Sequence, residues 1–458
     1  MNRFFDVVKG REDFPSNSEI YKRYIKLAWP AAVEGMFSIL ISAINLIIIG
    51  ALGTNSVAAV GIIGQAGMII QTIARALSVA GTAMIARKYG EQKYDEANDS
   101  LRYILKLGLI STVIFCAACF IFIDPILIFS GAKQEYMSEA VIYGRSFVVS
   151  LLFLNVTTIL NSGLIAAGKT REMMISNIAG SIVNMGLTYV LTNNVLGLPS
   201  FGILGAGLSV IAGNLVSLAI TVFYMHTGDS RIRIFGKSSG SDRNRNRQIM
   251  SLFYSALSEK LFERVGMFLY SIMVASFGTV DYATHYIVMS LDDIYFCFAE
   301  GLSRASTAVT GNMMGQGRPD LVIAYNSAGR KVGLVTDIIA FLIYFLLRRP
   351  LVALYSSDPA VIDLGENLMY FVACVGFVQT QNLIYAGALR GAGDTKFVAA
   401  YSLFDIAIAR PIITYLLCFT FGFGVYGAWI SMVLDQAIRA VCATIRFRSN
   451  HWQNISFL

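Results

Sequence analysis

Two glutamates, Glu34 and Glu259, lie 225 residues apart, and each falls within a long apolar stretch of the chain. A charge near the centre of a bilayer costs on the order of a few kcal/mol, so a carboxylate inside such a stretch is a candidate for binding ions or protons. A buried carboxyl group can take up a proton and release it when a cation arrives. The alternative is a structural role, in which Glu259 pairs with the neighbouring Lys260 or Arg264.

Further polar side chains interrupt the apolar stretches. Asp292 and Asp293 are adjacent, so on a helix they point about 100° apart and at most one of them faces a given cavity. Asparagines, including Asn45 and Asn184, are concentrated in the first half of the chain and predict a polar cavity there. For each asparagine alone, a hydrogen bond between helices is the simpler interpretation. Structural roles are predicted for the acidic and basic residues near the end of the chain: Asp405, Arg410, Asp435 and Arg439.

The composition identifies the elements that carry these residues. Of 458 residues, 55% are hydrophobic and only 14% are charged, against about 25% charged in soluble domains. A helix needs about 20 mainly apolar residues to cross a bilayer. Twelve stretches meet this requirement and predict an all-α membrane protein with twelve transmembrane helices: 25–50, 57–86, 101–123, 140–167, 173–195, 202–225, 249–277, 282–311, 329–347, 365–389, 397–420 and 425–446.

Basic residues cluster in alternate loops between these stretches. The other loops nearly lack Lys and Arg, with Lys133 and the pair Arg348–Arg349 as exceptions. The positive-inside rule therefore predicts that both termini are cytoplasmic. The net charge of +7 is explained by this topology, which leaves no reason to invoke nucleic acid. Cys116 and Cys119 form an isolated C-x-x-C within apolar sequence, so no metal site is predicted.

The two halves of the chain repeat each other. Gly53-Thr54 recurs as Gly278-Thr279, and Gly168 and Thr170 recur as Gly393 and Thr395, all at an offset of 225 residues; near the end the offset becomes 222. Two six-helix lobes related by a pseudo-twofold axis along the membrane normal are predicted, with a substrate site between them and one of the two glutamates on each lobe. The predicted segments are a cytoplasmic N-terminal segment, the first lobe, a polar cytoplasmic linker, the second lobe and a cytoplasmic tail: 1–24, 25–225, 226–248, 249–446 and 447–458.

Several motifs resemble the multidrug and toxic compound extrusion (MATE) family, particularly its DNA-damage-inducible (DinF-like) prokaryotic branch. They include Leu52-Gly53-Thr54, the segment from Ala388 to Thr395, and the segment from Gly301 to Asp320. The resemblance implies a V-shaped twelve-helix exporter driven by a proton or sodium gradient. It assigns Glu259 to the family's seventh-span glutamate, whereas family aspartates are replaced at three positions: Asn45, Thr188 and Gln379.

These observations predict a secondary antiporter that exports small organic, cationic or amphiphilic compounds in exchange for H+ or Na+. The predicted cavity residues are Glu34, Glu259, Asn45, Asn184, Asp292, Asp293 and Gln379, with any Na+ expected near Glu259. We expect a monomeric, multi-pass protein of the cell membrane that is not an enzyme and has no cofactor. The alternative is a lipid-linked precursor flippase, which would need a cationic cleft from Arg75, Arg145, Arg264 and Arg304; a passive channel or receptor would not explain symmetric carboxylates.

Overall fold

The computed structural model describes residues 6–8, 14–130, 132–193, 199–227, 231–234 and 242–455, apart from the side chains at 65 and 66. Parts of the predicted N-terminal segment, linker and tail therefore lie outside the described residues. Within the described ranges the chain is helical, and no strand occurs there. The predicted all-α class is confirmed.

In the described part of the chain twelve long helices, here α1 to α12, follow one another, and each overlaps one predicted span. Five predicted spans extend one to three residues past the end of their helix: 101–123, 140–167, 173–195, 249–277 and 329–347. Short helices at Ile123–Phe129 and Arg348–Ala353 follow α3 and α9. Nine of the twelve are apolar and long enough to cross a membrane, whereas polar residues interrupt the described parts of α7, α8 and α9. The bounds are Asn17–Gly50, Thr54–Gly90, Tyr94–Ile121, Met137–Ala166, Thr170–Thr192, Gly202–Thr227, Arg243–Ala275, Thr279–Gly315, Pro319–Leu346, Pro359–Ala392, Thr395–Thr420 and Gly424–Arg448.

Backbone geometry repeats between the two halves at the predicted offset. Gly53 before α2 has φ 125°, and its equivalent before α8, Gly278, has φ 131°. Gly168 between α4 and α5 has φ 77°, and its equivalent between α10 and α11, Gly393, has φ 96°. Residues other than glycine rarely adopt these angles, so the recurring glycines reflect the same turns in both halves.

The chain forms two compact units, one of Met1–Gly35 with Tyr254–Leu458 and one of Met36–Phe253. Each unit thus contains the first part of a helix whose remainder belongs to the other: α1 divides after Gly35, and α7 divides after Phe253. This division differs from the predicted lobes, which assigned α1 wholly to the first lobe and α7 wholly to the second. A repeat in the sequence shows which helices of the two halves correspond in chain order. It does not specify which neighbouring helices a long helix packs against.

Close contacts explain why the start of α1 belongs with the second half. The hydroxyl of Tyr24 donates to the carbonyl oxygen of Leu302 at 3.1 Å and lies 2.8 Å from the Ser306 hydroxyl. Opposite Ala32, α8 has Gly301, where an added Cβ would lie 2.4 Å from the Ala32 backbone. The absence of a side chain at Gly301 therefore lets the two helix backbones approach closely.

Part of the predicted linker is docked rather than free. The Asn98 side chain at the start of α3 accepts from the Arg233 amide at 2.8 Å and donates to the Arg231 carbonyl at 3.1 Å. Ile232, which lies between Arg231 and Arg233, is fully buried. Further along, Arg245 at the start of α7 lies 3.3 Å from the Asp99 carboxylate. These contacts hold residues 231–234 and the first turn of α7 within the unit Met36–Phe253.

Candidate functional site: a charge network in helices α1, α7, α8 and α10

Glu259 lies in the middle of α7 and is 7% exposed. Its carboxylate forms an ion pair with Arg390 near the end of α10, with Nε 3.3 Å from Oε2 and a second, shorter contact between Nη2 and Oε1. The predicted pairing partners make other contacts, since Lys260 Nζ pairs with Glu263 at 2.8 Å. Glu259 is therefore paired, as the structural interpretation required, but its direct partner comes from another helix.

Glu34 lies in α1 and is 8% exposed. One of its oxygens lies 3.3 Å from Arg304 Nη1 in α8, and the same guanidinium lies 3.5 Å from Glu300 one turn earlier. Arg304 was predicted only as a candidate for a cationic cleft, yet the structure places it between two carboxylates. The signal for this pair in the sequence was weak, because 270 residues separate the partners.

The structure places Glu34 and Glu259 in the same compact unit rather than one in each lobe. The physical reason is the division of α1: Glu34 precedes the point at which that helix passes into the other unit. Lys260 connects the two pairs, because it interacts electrostatically with both Glu259 and Glu300. We call this set the charge network; it consists of Glu34, Glu259, Lys260, Glu300, Arg304 and Arg390.

The adjacent aspartates of α8 face different surroundings, as the helical geometry predicts. Asp292 is buried and shares a hydrogen bond with Gln379 of α10. Asp293 is exposed and interacts with Arg264. The structure thus brings together two residues, Asp292 and Gln379, that the sequence analysis singled out separately.

A neighbouring carboxylate was not predicted as part of the site. Asp337 in α9 is 1% exposed and accepts a short hydrogen bond from the Tyr295 hydroxyl of α8. Thr380, next to Gln379 in α10, lies 3.4 Å from the same hydroxyl. The other oxygen of Asp337 and one oxygen each of Asp292 and Gln379 are buried and accept no hydrogen bond from the described part of the chain. The sequence signal that could have identified Asp337 was the presence of an aspartate inside an apolar span.

Asn45 and Asn184 belong to the other unit, Met36–Phe253. Asn184 accepts from the Thr188 hydroxyl through its backbone carbonyl at 2.8 Å and its side-chain oxygen at 3.3 Å. Other asparagines make interhelical bonds, such as Asn155 to Thr112 at 3.3 Å. Most of this group therefore follows the simpler interpretation of hydrogen bonding within and between helices.

Comparisons with known proteins agree with this architecture. The family model described as MatE matches residues 30–190 and 256–416, which are two segments of equal length in the two halves of the chain. A relative from Thermotoga maritima, called a probable multidrug resistance protein NorM, is 24% identical over 98% of this chain and 96% of its own. A multidrug resistance protein MdtK from Pectobacterium atrosepticum is 22% identical over 92% of this chain and 94% of its own.

Solved structures share the fold at lower identity. A MATE protein in a bent conformation superposes with a TM-score of 0.86 at 18% identity, covering 98% of this chain and 97% of that one. A MATE family multidrug resistance transporter in an outward-facing conformation superposes with a TM-score of 0.87 at 19% identity, covering 94% of this chain and 96% of that one. Assignment to the DinF-like branch stays a prediction. The family match, which spans most of both halves, shows that the chain belongs to the MATE family of membrane transporters.

Proposed function

We propose that the protein is a secondary active antiporter that exports small organic compounds in exchange for an inbound proton. Membership of the MATE family supports the transport function, and relatives named as multidrug resistance proteins support export of organic molecules. The protein would act as a multi-pass protein of the cell membrane with both termini cytoplasmic, as the distribution of basic residues indicates.

The observation that carries the coupling proposal is the buried ion pair between Glu259 and Arg390. Both oxygens of Glu259 contact the guanidinium group. Protonation of the carboxylate removes the charge that holds Arg390, so each proton bound would break the connection between α7 and α10. An ion can bias two conformations only through a difference in its affinity for them, and an ion pair present in one conformation and broken in the other supplies that difference.

The same geometry favours a proton over sodium. A sodium ion at Glu259 would have to compete with a guanidinium that already occupies both carboxylate oxygens. The tenth-span aspartate that the family resemblance would supply is Gln379 here, which removes one negatively charged ligand. Proton transfer needs no set of oxygen ligands and can act on a single carboxyl group.

Buried acceptor oxygens support a cationic or amphiphilic substrate. Asp292, Asp337 and Gln379 each present an oxygen that accepts no hydrogen bond from the described residues. A buried acceptor without a donor is unfavourable, so a substrate carrying N–H groups or positive charge would be stabilised there. Tyr295 lies beside Asp337 and adds an aromatic surface.

The flippase alternative is less well supported. It requires guanidinium groups that are available to an anionic lipid, but Arg304 is paired with Glu34 and Glu300. Arg145 lies 4.0 Å from Asp124. A carboxylate beside each guanidinium reduces the attraction for a second anion.

Ethidium efflux from proteoliposomes tests the proposal. With wild-type protein, an imposed pH gradient should drive uphill ethidium movement and an imposed sodium gradient should not. Glu259→Gln should abolish the pH-driven movement, because the amide cannot exchange a proton. Glu366→Gln is the matched control, since Glu366 pairs with Arg348 and Arg349 in a more exposed setting, and it should retain activity. Wild-type rates in Glu259→Gln, or transport driven by sodium alone, would refute proton coupling at this residue.

A further inference from the structure

Two aspartates meet between α11 and α12 around a single guanidinium group. Asp405 Oδ2 lies 3.4 Å from Arg439 Nε, and Asp435 Oδ2 lies 2.8 Å from Arg439 Nη2. These two nitrogens form the edge of a guanidinium that normally binds both oxygens of one carboxylate. Here each carboxyl group contributes one oxygen, so the two groups are brought within hydrogen-bonding range of each other. We call Asp405 and Asp435 the aspartate pair.

The aspartate pair is fully enclosed and poorly neutralised. Asp405 is 1% exposed and Asp435 is 0% exposed. Neither oxygen of Asp405 accepts a hydrogen bond from an N–H or O–H group of the described chain, and the same holds for Oδ1 of Asp435. A buried carboxylate without donors is strongly disfavoured, and two ionised carboxylates in contact are disfavoured further.

The second arginine in this region neutralises the pair only from a longer distance than Arg439 does. Arg410 is 3% exposed, and its closest approach to the pair is 4.0 Å, from Nη1 to Asp435. That nitrogen donates to the Met267 sulfur at 3.0 Å, and the guanidinium lies over the Tyr270 ring at 4.7 Å. Its Nε and Nη2 have no acceptor among the described residues.

The repeat shows that the helix pair does not need these charges in order to pack. At the established offsets of 225 and 222 residues, Asp405 corresponds to Gly180 and Asp435 corresponds to Gly213. In the first half those glycines form a close backbone crossing, where a Cβ on Gly180 would lie 2.5 Å from the Gly213 carbonyl oxygen. Arg439 corresponds to Ser217, which bonds to Asn177 at 3.0 Å. The second half therefore places a charged cluster where the first half has a tight, uncharged contact.

The backbone of α11 also differs from that of its counterpart. Whereas α5 is α-helical throughout, α11 contains a π-helical segment at Leu403–Ala409. The Arg410 amide donates to the Asp405 carbonyl five residues earlier. Residues five apart in an α-helix point about 140° from each other, whereas a π turn closes at that spacing and brings them to one side. Such segments are frequent at functional sites, and this one turns Arg410 toward the aspartate pair.

We propose that Asp405 and Asp435 share one proton and form a proton-binding site separate from Glu259. A hydrogen bond between two carboxyl groups requires a proton on one of them, and the shared proton removes the repulsion between the two oxygens. Arg439 then faces a single negative charge from the pair.

The charged and titratable groups around the pair come from three helices. From α12 they are Arg439 and Cys442, and from α11 Arg410. From α7, Glu263 interacts with Arg439 and so competes with the pair for its charge. Tyr270 of α7 interacts with Asp435 as well as with Arg410. Glu263 is itself paired with Lys260 at 2.8 Å, so Arg439 is left in close contact with two carboxyl groups, which favours a proton on one of them.

Infrared difference spectroscopy of the purified full-length protein tests the site without reference to transport. A protonated carboxyl group gives a carbonyl stretching band that shifts in D2O. At neutral pH, Asp405→Asn and Asp435→Asn should each remove the same band. Either substitution leaves a single carboxyl group, which no longer shares a proton with a second one. Asp99→Asn is the control, since Asp99 is equally buried between Arg102 and Arg245 and should contribute no such band. An unchanged spectrum in both pair variants, or the same loss in Asp99→Asn, would overturn the proposal.

A second measurement uses the wild-type protein and does not depend on the variants folding. Dicyclohexylcarbodiimide labels protonated carboxyl groups in apolar surroundings, and mass spectrometry locates the label. We expect labelling at Asp405 or Asp435 at neutral pH and none at Asp99; absence of label from both members of the pair would count against the proposal. Because neither measurement involves efflux, failure of proton coupling at Glu259 would leave this result standing.

Discussion

Disruption of the ion pair between Glu259 and Arg390 should have a large, cooperative effect on stability. Removing one partner of a buried pair costs about 3–5 kcal/mol. The Glu259 and Arg390 side chains retain 9% and 13% exposure, and Lys260 stays near the carboxylate. We therefore expect Arg390→Gln to lower the free energy of unfolding by about 3 kcal/mol, the low end of that range.

A double-mutant cycle isolates the interaction between these two side chains. Equilibrium unfolding in mixed micelles would be measured for Glu259→Gln, Arg390→Gln and the double variant. We expect a coupling energy of about 2 kcal/mol, because the double variant removes both charges together and leaves neither unpaired.

The same cycle on an exposed pair is the control. Arg349 and Glu366 lie 2.8 Å apart, but their side chains are 55% and 24% exposed. Their coupling should be below about 1 kcal/mol. If the Glu259–Arg390 coupling is no larger than that of the control pair, the buried ion pair does not contribute what its geometry indicates, and its role in holding α7 to α10 is refuted.

Two further predictions concern packing in each unit. Gly301→Ala should destabilise the protein by about 1–3 kcal/mol because the new Cβ would collide with the Ala32 backbone. Gly61→Ala is the control: a Cβ there has no atom within 4 Å, so no loss of stability from a steric clash is expected. Equal effects of the two substitutions in thermal unfolding would contradict the close helix crossing. Asn98→Ala should accelerate hydrogen exchange of the Arg233 amide about tenfold, since a hydrogen bond near 1.4 kcal/mol is lost; an unchanged rate would show that residues 231–234 stay docked without it.

Much of the fold could be predicted because apolar stretches and turns leave local signals. Each of the twelve predicted spans overlaps one long helix to within three residues at its end, and the glycines that repeat at Gly53 and Gly278 adopt matching angles. Asp435 pairs with Arg439 at 2.8 Å, because residues four apart in sequence share a helix face. These features depend on neighbours in sequence or on a simple period.

Partners between distant helices could not be predicted in the same way. The sequence offered Lys260 and Arg264 as partners for Glu259, yet Arg390 lies 131 residues away and makes the contact. Asp337 was visible as an aspartate in a span, but its bond to Tyr295 depends on how α8 and α9 pack. Helix order alone does not give the rotation of each helix about its own axis, which decides these contacts.

The sequence by itself determined the membrane character, the number and approximate positions of the long helices, the repeat, and the placement of Glu34 and Glu259 at equivalent positions. Only the tertiary structure decided that the start of α1 packs with the second half, so that both glutamates occupy one unit. It also decided that Asp405 and Asp435 meet where Gly180 and Gly213 cross in the other half. The physical reason is that burial and periodicity are properties of single segments, whereas the pairing of charges depends on which helix faces approach each other.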